Sequence, residues 1–296
     1  MPEKFPTPLE HFLQRADALL DRIETLLPAA VDEPDWRAHA YRWRRIGSRG
    51  RLVAVAHPHR IRLDNLQGIE TQLQRLEQNT RQFVAGRSAN NALLTGAHGT
   101  GKSSLIKALL TKYAAKGLRL IEVDKDDLVD LPEIVELIVP RRERFVIFCD
   151  DLSFEAGDPG YKAMKSVLDG SIAGMPDNLL VYATSNRRHL MPEYMNENLE
   201  ARHAADGEVH PAEAVGEKVS LSERFGLWLS FYPFDQDHYL AICAHWLAEF
   251  GLGARAIEQA RTEALQWALQ RGSRSGRVAA QFARDYAGRH PAKPGR

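Results

Sequence analysis

Cysteine is almost missing from this chain: 296 residues carry only Cys149 and Cys243, far apart in the sequence. Two distant thiols exclude a disulfide framework and a thiolate metal cluster, and a reducing cytoplasm is the compartment expected from them. Net charge is missing too, since 39 basic side chains balance 39 acidic ones. That balance excludes a surface coated all over for nucleic acid but leaves local patches open. No segment reaches the ~18 uninterrupted apolar residues of a membrane-spanning helix, and Met1 to Glu10 holds Pro2, Pro6 and Pro8 but no apolar run. Neither a membrane span nor a secretory leader is expected. What the chain has is length and 44% apolar residues, enough for one large or two modest domains with a core.

Against that plain background, Gly96-Ala97-His98-Gly99-Thr100-Gly101-Lys102-Ser103 fits G-x-x-x-x-G-K-[ST]. It lies between an apolar run, Asn91 to Leu94, and an amphipathic one, Ser104 to Leu110, the strand-loop-helix setting this pattern requires. Three glycines let successive backbone N–H groups turn inward around phosphate oxygens, and the positive end of the following helix faces the same point. Lys102 can then reach the β- and γ-phosphates of ATP, while the Ser103 hydroxyl can hold Mg²⁺. Ser104 repeats the hydroxyl but points along the helix, leaving its backbone N–H to face phosphate. Upstream, Leu66, Gly68 and Ile69 are placed either to wrap an adenine or to pack in the core.

Arg144 to Cys149 reads as a buried strand that ends in Asp150-Asp151, and ligands sit at the carboxyl ends of such strands in open α/β sheets. Asp150 takes the metal-associated position in this reading, and Asp151 or Glu155 orients the attacking water. Leu179 to Ala183 reads as a further strand whose tip carries Asn186, a neutral side chain able to hold that water. The four acids from Asp124 to Asp130 read as a solvated loop, and His57-Pro58-His59 as a turn without the partners of a metal site. Glu193 to Lys218 is long, polar and nearly without apolar residues, as in an insertion. Leu227 to Tyr232 can add a last strand. Three helical patterns then follow, Tyr239 to Phe250, Arg255 to Gln270 and Arg277 to Tyr286, which make a small lid.

The start of the chain is less specific. Leu13, Leu19, Leu20, Ile23 and Leu27 recur near helical spacing. Between Trp36 and His57 no acid occurs, and Arg37, Arg42, Arg44, Arg45, Arg49 and Arg51 alternate with Trp36, Tyr41 and Trp43. This stretch is expected to be a helix, with its aromatics packed inward and its arginines solvated or facing acids. Stacking on nucleic-acid bases is the other reading.

Taken together, the loop, the acid-tipped strand, Ala183-Thr184-Ser185-Asn186, Ser222-Glu223-Arg224-Phe225-Gly226 and the helical lid resemble the AAA+ ATPases. More narrowly, Gly101-Lys102-Ser103-Ser104, Cys149-Asp150-Asp151-Leu152-Ser153-Phe154 and Arg274-Ser275-Gly276-Arg277 resemble the bacterial predicted-ATPase family catalogued as domain of unknown function 815. The resemblance covers about Leu63 to Ala287. It implies Walker A at Lys102 and Ser103, Walker B at Asp150 and Asp151, sensor 1 at Asn186, an arginine finger at Arg224 and sensor 2 at Arg277. Asp151 stands where these motors usually carry Glu, which points to slow hydrolysis or a share for Glu155. Arg187 and Arg188 are rival fingers, and Arg274 can trade places with Arg277.

The expected architecture is a three-layer α/β/α P-loop fold with a parallel sheet and a C-terminal helical lid. Its divisions are a mainly helical basic-aromatic region (1–62), a nucleotide-binding domain (63–234) and the lid (235–296). The expected function is Mg²⁺-dependent ATP hydrolysis by a homo-oligomer, a hexameric ring being one form, with Arg224 acting in trans on a neighbour's nucleotide to remodel a protein client. A nucleotide-dependent switch or nucleic-acid loader, using Arg37 to Arg51, is the alternative.

Overall fold

Short runs rich in β-branched and apolar residues, buried along nearly their whole length, become the central strands. In a computed structural model, residues 12–13, 15–19, 33–46, 49–155, 158–170, 175–186 and 221–291 are described. The chain divides into two units, Met1–Pro34 and Asp35–Arg296. In the first, residues 12–13 and 15–19 are helical, and the rest of the expected Leu9–Leu27 helix lies outside the described residues. Arg187, Arg188 and the polar stretch from Glu193 to Lys218 lie outside them as well.

The second unit is built on seven strands: β1 (Ala40–Ile46), β2 (Arg49–Ala54), β3 (Ala92–Gly96), β4 (Leu118–Glu122), β5 (Arg144–Cys149), β6 (Leu179–Ser185) and β7 (Leu227–Phe231). Their order across the sheet is β2-β1-β4-β5-β6-β3-β7. All neighbours are parallel except β1 and β2, which form an antiparallel hairpin. Helices α1 (Glu70–Val84) and α2 (Lys102–Tyr113) cover one face, together with the lid helices α5 (Gln236–Glu249), α6 (Ala254–Arg271) and α7 (Gly276–Arg289). On the other face lie α3 (Leu131–Ile138), α4 (Pro159–Asp169) and a 3-10 segment, Lys125–Asp130. Each face has its own apolar cluster, so the architecture is three layers with the sheet in the middle.

Polar clamps fix the start of β3. Asn79 of α1 bonds both backbone groups of Asn90, at 2.8 and 3.0 Å, and the Asn91 side chain accepts from Val181 N at 2.8 Å. The Tyr182 hydroxyl meets Thr80 and Asn79 at 2.9 and 3.0 Å, and burial pushes its pKa up to about 12. Both cysteines are buried and free, and burial raises each thiol pKa to about 12.

The basic-aromatic stretch is not a helix. It is the β1–β2 hairpin, and β1 joins the sheet beside β4, so a boundary at residue 62 cuts through one sheet. The reason is periodicity: Tyr41-Arg42-Trp43-Arg44 alternates with period two, and so puts both aromatics on one face of a strand. Tyr41 and Trp43 are fully buried there. Trp43 Nε1 donates to Asp130 at 2.9 Å, Arg45 pairs with the same carboxylate at 3.4 Å, and Arg141 lies over the Trp36 ring at 4.5 Å. Gly50, diagonally across on β2, is required there, because a Cβ on it would lie 1.8 Å from the Trp43 ring. The acids expected to be a solvated loop thus include an anchor for this hairpin.

Candidate nucleotide-binding site

Strand β6 runs between β3 and β5, so the tips of these three strands converge at one edge of the sheet. The loop after β3 is shaped by its glycines. Gly96 has φ 129°, a conformation that L side chains rarely adopt, and a Cβ on it would lie 1.9 Å from the Phe231 carbonyl oxygen. Ala97 N donates to that same oxygen at 3.2 Å. Gly99, at φ 71°, has no room for a side chain either, because Ser275 at the start of α7 would stand 2.8 Å from its Cβ. The Thr100 hydroxyl closes the loop onto the Ala97 carbonyl at 2.8 Å.

Two hydrogen-bonded chains cross the convergence. In the first, Lys102 Nζ donates to the Gly96 and Ala97 carbonyls at 2.8 Å each and to Asn186 Oδ1 at 2.9 Å, and Asn186 Nδ2 donates to Asp151. Burial holds the Lys102 pKa below the usual lysine range. Asp150 and Asp151 oppose this, and Arg277 adds to the lowering. In the second, the Ser103 and Thr184 hydroxyls both donate to Asp150 Oδ1 at 2.6 Å. Thr184 also accepts from Asp151 N at 2.9 Å. Asp151 itself has φ 52°, uncommon for a non-glycine residue, and this turn aims its carboxyl at Asn186.

These groups floor a cavity of about 470 Å³. His98 to Ser104, Asp150, Asp151 and Asn186 line it, and Arg277 enters from the lid. Leu66, Ile69, Phe234, Ile242 and Trp246 add apolar wall, beside Asn65 and Gln67. Ser275 caps α7, accepting from Val278 N at 3.3 Å, and this cap sets Gly276 and Arg277 against the phosphate loop.

Several expected residues stand elsewhere. Gly96 and Ala97 shape the base of the loop and do not line the cavity. Gly68, with φ 76°, is a turn pressed against the Phe234 ring rather than a wall residue. Glu155 and Arg274 are exposed and off the wall, so Asp151 is the carboxylate held beside Asn186. Arg224 is also away from this cavity, and its Nε is bonded to Asp169 at the C-terminal end of α4. Sequence reasoning assigned no role to Thr184. A hydroxyl directly after the apolar run Leu179 to Ala183 was its signal, and the structure buries it. The lid residues Ile242 and Trp246 gave none, because each reads as ordinary helix packing.

A triphosphate fits the observed groups. The loop leaves no space for a Cβ at Gly99, its residues line the cavity with a buried ammonium among them, and Leu66, Ile69, Phe234, Ile242 and Trp246 give apolar wall for a base. A single hydroxyl and a single carboxylate, Ser103 and Asp150, suit a Mg²⁺ that takes its other ligands from phosphate and water. Among the described residues there is no group of three or more His, Cys, Asp or Glu that would cage a metal by itself.

Loop, strand order and helical lid define a P-loop nucleoside-triphosphatase fold of the AAA+ type. Over residues 36–290 the chain matches the family described as "Protein of unknown function (DUF815)", and it belongs to that family. No curated protein matches it. Similar solved structures include the Thermotoga maritima RuvB Holliday junction branch migration motor, at 18% identity and TM-score 0.44, covering 78% of this chain and 66% of that one. Another is the Aeropyrum pernix Orc1 protein in complex with DNA, at 18% and 0.49, covering 78% and 63%. A third is the E. coli MS115-1 HORMA:CdnC:Trip13 complex, at 15% and 0.49, covering 76% and 90%. The chain therefore spans slightly less than two thirds of the RuvB and Orc1 chains it matches.

Proposed function

We propose that this protein is an oligomeric Mg²⁺-dependent ATPase that couples ATP binding and hydrolysis to the remodelling of a protein partner. The observation that carries this reading is the Lys102–Asn186–Asp151 chain, which links the phosphate-binding ammonium to the carboxylate best placed to orient water. In this reading the γ-phosphate takes over Lys102 from the loop carbonyls and Asn186. Asn186 and Asp151 are then left to hold a water in line with the γ-phosphorus. Attack forms a bond from that water to phosphorus and breaks the bond to the β–γ bridging oxygen, and the water's proton passes to Asp151 and on to solvent, giving ADP and phosphate. Mg²⁺, held by Ser103 and Asp150, would neutralise charge on the phosphates. Arg277 belongs to the lid and touches the same cavity, so lid position and nucleotide state are linked.

The oligomer rests on reading Arg224 as a trans-acting residue. It sits off its own chain's cavity, bonded to Asp169, so a role at a nucleotide requires a neighbouring subunit. The test is ADP and phosphate release across a concentration series, run beside a sizing measurement. Turnover per subunit should rise as the oligomer forms. Equal turnover at every dilution, with no higher oligomer, would sink the assembly part of the reading. Failure to bind ATP would sink all of it.

A further inference from the structure

The hairpin sorts its arginines by face. Arg45 shares a face with Trp43 and is bonded to Asp130. On the opposite face stand Arg42 and Arg44 of β1 with Arg49 and Arg51 of β2, by the alternation of the strands. Arg42 is engaged by Glu122 of β4. Arg44 and Arg51 lie directly across from one another in the register, and Arg49 continues the band at the end of the hairpin. All three are exposed, and none has an acidic partner among the described residues. Like charges placed directly opposite on a sheet destabilise it, so this arrangement works against the hairpin's own stability.

We propose that this arginine face binds the phosphodiester backbone of nucleic acid, without reading its bases. The guanidinium fork matches phosphate geometry, and the band from Arg42 to Arg49 runs over roughly 14 Å, about four nucleotides of duplex axis. Base stacking is not available on this face, because Tyr41 and Trp43 are buried on the other one. A protein partner is disfavoured: such interfaces need an aromatic or aliphatic anchor, and among the described side chains no exposed large apolar residue lies on the hairpin. The inference is independent of the ATPase reading.

The experiment is fluorescence anisotropy with a labelled 20-base-pair duplex and a labelled 20-nucleotide strand, using the whole chain over a salt series. Binding should be indifferent to sequence and should weaken with salt, and Arg44→Gln/Arg49→Gln/Arg51→Gln should weaken it at least tenfold at low salt. Each arginine removed should flatten the logarithmic salt slope by about one on duplex. Arg255→Gln/Arg284→Gln, exposed lid arginines, should change little. Arg51→Thr alone should raise the melting temperature, since it removes the opposed charge. The proposal is overturned if the wild-type chain binds neither probe at low salt, or if the lid variant loses as much as the hairpin variant. Displacement by a glutamate-rich peptide at lower charge concentration than by unlabelled DNA would overturn it in favour of an acidic protein partner. A melting temperature lowered by Arg51→Thr would remove the premise.

Discussion

At the tips of β3, β6 and β5, Lys102–Asn186–Asp151 and Ser103–Asp150–Thr184 form two hydrogen-bonded chains joined through the Asp151 amide and Thr184, whereas on the β1–β2 hairpin Arg44, Arg49 and Arg51 meet solvent. The two regions belong to one sheet and differ in how far their charges are removed from water. Lys102 is buried and must be paired, because an isolated buried charge is costly. A ligand entering there has to exchange with existing bonds, so binding is felt at Asn186 and Asp151. The hairpin arginines keep their hydration, tolerate being unpaired, and can change without disturbing the core.

The largest effect that would break this contrast is at Lys102. Lys102→Ala should abolish saturable ATP binding and turnover in calorimetry and phosphate release; a variant that still binds within tenfold of wild type would show the cavity to be something else. Next, Arg224→Ala should keep ATP affinity within a few-fold while losing ~10³ to 10⁵ in turnover, or about 4 to 7 kcal/mol of barrier. Loss of affinity instead would place Arg224 in its own subunit's site. On the hairpin, the aromatic face rather than the charged one should carry stability. Trp43→Ala should cost ~3–5 kcal/mol in urea unfolding, and Arg51→Thr none. A smaller loss of ~1–3 kcal/mol is expected for Thr184→Val, which leaves the Asp151 amide and Asp150 without their shared hydroxyl. The smallest effect on turnover belongs to Asp169→Asn. If Asp169 merely steadies Arg224, turnover in the oligomer should shift about two- to fivefold with affinity unchanged.

The phosphate loop was legible because its constraints are local: glycines, lysine and serine at fixed spacing act within a few residues of one another. Asp150, Asp151 and Asn186 were legible for a related reason, as polar residues directly after buried strands. The hairpin is poorly legible because six arginines in a stretch without acids suit a solvated helix face as well as a strand, and only the alternation of Tyr41, Arg42, Trp43 and Arg44 distinguishes the two. Thr184 and Trp246 were missed for a different reason, since each acts on groups far away in the chain. The partner of Arg224 could not be read either. Asp169 is remote from it in sequence and comes from the end of another helix.

The order of residues alone determined that this chain builds a phosphate loop, acid-tipped buried strands and a helical lid, because turn chemistry and hydrophobic period act at short range. Only the tertiary structure decided that β6 inserts between β3 and β5 and joins Lys102 through Asn186 to Asp151, that α7 leans on Gly99, and that four arginines share one face. Those outcomes depend on strand order and register, which are settled by burying two apolar clusters at once on opposite sides of the sheet.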